Sequence, residues 1–252
     1  MIKTTDLAGT SDALVSSLDL QQVPIAIAFV EDIPEGIGTP GAPVPAGCQF
    51  WEQARSGVFV TSAADHYRCA VGTYTHHLEP SQAEQVDLQD ALAVFADLSY
   101  VRPEDIPLIP VLDFQPKHIL YGPLARLPVP PDVVLLFVNA SQALLLSEAA
   151  HQVDKQSPVA MGRPACAVIP QVKNTGCAAL SLGCCGARAY LDMLTETMGI
   201  FALPGHKLAN YTERIKALAQ ANATLTKFHL IRRRDIAAGK SPSIRESLRT
   251  MQ

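Results

Sequence analysis

Short apolar blocks separated by proline- and glycine-rich connectors dominate this chain, and helical periodicity shows in only a few longer stretches. The first 20 residues suit a short helix with Leu14, Leu18 and Leu20 on its apolar side. VPIAIAFV at 23–30 is a compact apolar run that predicts a buried strand, and residues 31–46, rich in proline and glycine, predict a long irregular loop. CQFWEQAR at 48–55 gives one or two helical turns, and VFVT at 58–61 a short strand. Ser62 and Asp65 then suggest a turn.

Pro80–Ser81 opens a helix running to about Ser99, with Leu88, Leu92, Phe95 and Ala96 at helical spacing and Ser81 with Glu84 in capping-box positions. A connector containing Pro103, Pro107 and Pro110 follows. Residues 117–121 and 132–138 read as strands, and Asn139 opens a helix to about His151. CAVIP at 166–170 reads as a further strand, GIFALP at 199–204 as a strand or extended segment, and 206–238 as helix with one break. These elements predict a mixed α/β domain, a mixed sheet with flanking helices. They fill one domain over 1–252, with two intimately packed lobes, 1–125 and 126–252. The lobes echo each other in order: an apolar strand, a cysteine, a short helical patch, a second cysteine, then glycine.

Composition narrows the function classes. At 48% hydrophobic and 17% charged residues the chain carries less charge than the roughly one quarter usual for soluble chains, which points to surface covered by a second copy, a homo-oligomer. The formal net charge of −4 speaks against a nucleic-acid surface, and Arg232–Arg233–Arg234 reads as a solvated helix face. No stretch has the roughly 18 apolar residues of a membrane span and no signal-peptide core opens the chain, so the expected location is cytoplasmic.

The candidate chemistry lies in six cysteines. Cys48 and Cys69 flank the only tryptophan; Cys166, Cys177, Cys184 and Cys185 are gathered in one later stretch. Stable disulfides are rare in a cytoplasmic setting, which leaves buried packing, metal or iron–sulfur ligation, and thiol redox chemistry in competition. Glycine adjoins several of them, at 47–48, 176–177 and 183–186, where it lets backbone approach a cluster and frees N–H groups to bond toward sulfur. No C-x₂₋₄-C pair of a structural zinc site occurs, and the absence of CxxC weakens the redox reading. His66, His76 and His77 near Cys69 are candidate ligands or proton donors. Glu52 and Asp65 are candidate acid/base groups, and Arg188 is a candidate anion anchor. No dinucleotide, P-loop, HExxH or GxSxG motif is present.

VPIAIAF at 23–29, Cys48 with an aromatic and Ala54 after it, His66–Tyr67–Arg68–Cys69 with Gly72, Tyr121–Gly122–Pro123–Leu124, Gly186-x-Arg188, Met198 and Leu203–Pro204 follow one another along most of the chain. In these motifs it resembles an uncharacterised prokaryotic family, domain of unknown function 169. The resemblance implies a mixed α/β domain whose cysteines form a site. On that basis the expectation is one [4Fe–4S] cluster held by three or four of Cys48, Cys69, Cys177 and Cys185, with zinc the alternative metal. Cys166 is expected in core packing, and Cys184 is ambiguous. If only three thiols ligate, an open iron would act on a small anionic substrate, with Arg188 orienting it and His66 donating a proton, in a lyase or oxidoreductase. An electron-transfer protein with a redox partner, a non-catalytic zinc- or ligand-binding sensor and a thiol redox protein are the alternatives. In every case the two cysteine groups are expected to converge.

Overall fold

A computed structural model describes residues 6–66, 68–79, 82–155, 158–241 and 243–249. Seven strands form one sheet in the order β2-β3-β1-β4-β7-β6-β5. They are β1 (Ile25–Val30), β2 (Phe59–Thr61), β3 (His118–Pro123), β4 (Val133–Asn139), β5 (Ala160–Met161), β6 (Ala179–Ser181) and β7 (Met198–Pro204). All neighbours run antiparallel except β5 and β6. The first half of the chain supplies β2-β3-β1 and the second half β4-β7-β6-β5. The two halves meet where β1 pairs β4.

The central strands are apolar at nearly every position because both sheet faces are covered. Alternate side chains then divide into two cores. Ile25, Ile27, Tyr121, Leu135, Phe137 and Ala202 point to one face; Ala26, Ala28, Leu120, Leu136, Phe201 and Leu203 point to the other. Each fully buried Leu, Ile or Phe contributes about 1.5–3 kcal/mol of burial, so the alternation fixes the register.

The second face is covered by α1 (Leu7–Leu18), α5 (Ala140–Asp154) and α8 (Leu208–Ala237), which pack on one another. The first face carries shorter pieces: α2 (Gln49–Gln53), α3 (Ala70–Thr75), α6 (Val168–Thr175), α7 (Cys185–Tyr190) and a 3₁₀ turn at Ala165–Ala167. Beyond them α4 (Gln82–Asp97) packs against α3, and α9 (Ile244–Arg249) packs against α8. Among the described residues no helix is long and apolar enough to cross a membrane.

Most expected elements appear, with three differences. The apolar run 166–170 is not a strand but the 3₁₀ turn and first turn of α6. It is buried throughout, and Pro170 sits in the first helical turn, where its missing N–H has no helical acceptor to serve. The strands β5 and β6 are too short to show a period. Helix α8 runs unbroken for 30 residues, and the break falls after it, at Gly239 with φ 73°. Ser81, half of the expected capping box, lies outside the described residues.

Candidate functional site

Four cysteines from four separate segments meet on the first sheet face. Cys48 directly precedes α2, Cys69 precedes α3, Cys184 precedes α7, and Cys166 lies in the 3₁₀ turn before α6. Their thiols are within charge–charge reach. Cys48 feels Cys69 and Cys184, Cys69 feels Cys184, and Cys166 feels all three. Tyr121, buried on β3 beneath them, is coupled to Cys69, Cys166 and Cys48.

N–H groups are aimed at the sulfurs. Gly72 donates to Cys69 Sγ at 3.3 Å and Ala187 to Cys184 Sγ at 3.5 Å. The Gly47 N–H also favours a Cys69 thiolate, the Gln49 N–H a Cys48 thiolate, and the Thr75 hydroxyl a Cys166 thiolate. Burial opposes them and wins. The Cys48 thiol is pushed up to about 12, chiefly by burial and then by Cys69 and Cys184. Burial likewise raises Cys69, and raises Cys166 far above the ordinary thiol range. The glycines leave room for this crowding. A Cβ on Gly72 would stand 2.8 Å from Cys69 Sγ. One on Gly47 would stand 3.0 Å from His66 Nδ1 and 3.8 Å from Cys69 Sγ.

Two buried imidazoles border the thiols, their ring centroids 5.8 Å apart. The Thr61 hydroxyl donates to the Ile119 carbonyl (3.3 Å), so at 3.1 Å it accepts the proton of His66 Nε2, leaving Nδ1 a bare lone pair. His76 Nδ1 donates to the Gly72 carbonyl at 2.8 Å, which leaves Nε2 bare. Burial, then the neighbouring His76, lowers His66 to about 3; burial lowers His76 to about 4, against a smaller opposing pull from the Gly72 carbonyl. Both rings are therefore neutral. His66 Nδ1, His76 Nε2 and Trp51 Nε1 are buried without a hydrogen-bond partner among the described residues. A cavity of about 220 Å³ opens between Pro40–Pro43 and Ala64–Asp65, lined also by Phe50, whose ring lies 4.9 Å from that of His66.

The other expected site residues lie elsewhere. Cys166 and Cys184, rather than Cys177 and Cys185, stand with Cys48 and Cys69. Gly176, at φ 65°, terminates α6, so the Gly–Cys pair at 176–177 marks a helix end. Cys177 is half-buried beside Tyr211, whose hydroxyl burial, Asp154 and then this thiol raise, at the edge of the second-face core. Cys185 starts α7 with its side chain exposed.

Arg188 is committed to backbone. Its guanidinium donates to the carbonyls of Leu182 (2.5 Å), Thr195 (3.0 Å) and Met198 (3.0 Å), closing the loop that follows Cys184. Glu52 pairs with Arg55 at 2.7 Å, and Asp65 accepts from Ser62. His77 is exposed and bonds the Leu112 carbonyl. Among the described residues no three His, Cys, Asp or Glu side chains stand close enough to hold one metal ion.

The family model for domain of unknown function 169, described as uncharacterised ArCR, matches residues 13–214. No curated protein and no solved structure matches the chain.

Proposed function

We propose, for a chain that belongs to the domain of unknown function 169 family, an iron–sulfur protein that holds one [4Fe–4S] cluster between its two halves. Cys48, Cys69, Cys184 and Cys166 are the thiols that would hold it. The observation that carries this reading is the convergence of four thiols from both halves, with N–H donors on the sulfurs and partnerless polar atoms alongside.

As free thiols these groups are poorly suited to redox exchange, since burial keeps Cys48, Cys69 and Cys166 protonated at neutral pH. A bound cationic centre offsets that burial and favours thiolate. Zinc held by the same thiols is the alternative metal, and the two are told apart by acid-labile sulfide, which only a cluster carries. A [4Fe–4S] cluster supplies one-electron transfer or, where one iron lacks a protein thiolate, Lewis acidity toward a small anionic substrate.

The chain supplies the rest. Gly72 and Ala187 N–H groups tune the sulfurs, and Phe50 and Tyr121 help keep water out. The neutral His66 Nδ1 offers a lone pair that accepts a hydrogen bond from a bound group, in place of the expected proton-donor role. Arg188 positions the Cys184 loop, and substrate orientation falls to other groups. Partners on this reading are a small-molecule substrate or a redox protein, for a lyase, an oxidoreductase or an electron carrier.

Anaerobic purification with iron and sulfide analysis tests the proposal. The expected result is a coloured protein with about four irons and four acid-labile sulfides per chain. Cys48→Ser, Cys69→Ser and Cys184→Ser lose the iron, whereas Cys177→Ser and Cys185→Ser keep it. Zinc without sulfide would replace this reading with a zinc-binding module. A metal-free protein with a reversible disulfide would replace it with a thiol redox protein.

A further inference from the structure

Two helices leave the layered body, and both expose apolar side chains to solvent. None of the described side chains of α4 is buried; Val86 and Val94 are about half exposed, and Leu98 just beyond it is 73% exposed. Helix α8 packs its first turns against α1 and α5 through Leu208, Tyr211 and Ile215, then projects. Every residue from 220 to 227 is exposed. The projecting part, 220–237, extends about 27 Å at 1.5 Å per residue. Near its end α9 packs against it, where Phe228 and Ser247 are buried. Leu225, Leu230, Ile236, Ile244 and Leu248 remain exposed along this arm. Helices covered on so little of their surface are marginal in water by themselves, so the exposed apolar side chains of both elements suit a covering surface.

Their charges are opposite. Residues 216–249 carry eight Lys and Arg against two Asp and Glu, in a chain whose formal net charge is −4. Residues 79–105 carry seven Asp and Glu against one basic residue, Arg102, which already pairs with Asp105. A basic, apolar-studded arm and an acidic, apolar-studded helix are complementary surfaces. Among the described residues α8 packs on α1, α5 and α9, and α4 packs on α3. The arm is rooted on the face covered by α1 and α5, whereas α4 packs on α3 above the opposite face, and a continuous helix does not turn around the sheet.

We infer that the arm of one copy docks along α4 of a second copy. Two-fold symmetry returns the second arm to the first α4, so the contact closes as a homodimer. The inference stands independently of what the cysteines bind.

The full chain, analysed by sedimentation equilibrium, is expected to dimerise at low salt. Raising the ionic strength to about 0.5 M, where screening shortens to a few ångströms, weakens the dimer at least about tenfold. Lys227→Glu with Arg233→Glu on the arm raises the dimer Kd by about tenfold or more. Asp87→Lys with Asp90→Lys on α4 does the same, and combining all four restores dimerisation to within about threefold. These positions are exposed, and circular dichroism confirms that the variants stay folded. A monomer at every salt concentration overturns the inference. So does a dimer indifferent to both charge reversals, or one that both reversals break without rescue in the combination. Binding of the monomeric chain through the arm to anionic phosphatidylserine vesicles or to duplex DNA would overturn it in favour of those partners.

Discussion

On the face covered by α1, α5 and α8, the buried Asp154 carboxylate is met from every side. Lys207 Nζ approaches at 2.9 Å, the Tyr211 hydroxyl at 2.5 Å and the Ala178 N–H at 2.7 Å. On the opposite face His66 Nδ1 and His76 Nε2 are just as deeply buried and have no partner among the described residues. Both faces set a cysteine near a tyrosine, the half-buried Cys177 by Tyr211 and the buried Cys166 by Tyr121. Burial and residue type therefore do not separate structure from function here; completeness of hydrogen bonding does. A satisfied network ties α5, β6 and α8 together. An unsatisfied one costs stability unless a ligand completes it.

The sharpest way to test that contrast is acid. The folded state keeps His66 and His76 neutral, with values near 3 and 4, while the unfolded chain protonates them at the ordinary value of 6.5. Their contribution to stability is complete above 6.5 and is lost as pH falls from there toward 4. The slope approaches about 1.4 kcal/mol per pH unit for each imidazole. Urea unfolding of the reduced, metal-free chain between pH 7 and 4.5 measures it. His76→Gln is expected to remove about half of the slope. A stability that stays level through this range would show that the imidazoles are not held neutral.

The second face is expected to fail differently. Asp154→Ala leaves the Lys207 ammonium and the Tyr211 hydroxyl without their carboxylate, and breaking such a buried pair costs about 3–5 kcal/mol. The loss appears in chemical denaturation, while iron per folded chain is unchanged. If Asp154→Ala stripped the metal while leaving stability intact, the division of labour between the faces would be wrong.

Much of this architecture was legible in the chain. The runs at 23–30 and 132–138 hold strands, and their continuous apolarity follows from a sheet covered on both faces. Asn139 opens α5 through a reciprocal cap with Gln142. The run at 166–170 misleads because a buried helical turn and a buried strand look alike over five residues. The site was half legible. Gly47–Cys48 and Gly176–Cys177 are the same dipeptide, yet Gly47 makes room for His66 and Cys69, whereas Gly176 ends a helix in the left-handed region. Only the fold tells the two apart. Cys166 carries no flanking glycine and sits in an apolar run, so its place among the thiols depends on the turn before α6. For Cys184 and Cys185 the distinction is one residue of helix phase: the first faces the site as the cap, and the second faces solvent.

Arg188 gives the smallest expected effect and the finest division between positioning and chemistry. Its fork reaches three carbonyls spread over residues 182–198, a span that a lysine ammonium does not match. The side chain is exposed, so water partly replaces what is lost, and each bond contributes about 0.5–1.5 kcal/mol. Arg188→Lys is therefore expected to lower stability by about 1–2 kcal/mol. Because the loop it closes leads from Cys184, hydrogen exchange at Gly183–Ala187 is expected to quicken along with that loss. Binding of small anions, followed by calorimetry, is expected to stay the same. A variant of unchanged stability that no longer binds such anions would return Arg188 to the substrate. It would also leave the Cys184 loop without the clasp assigned to it.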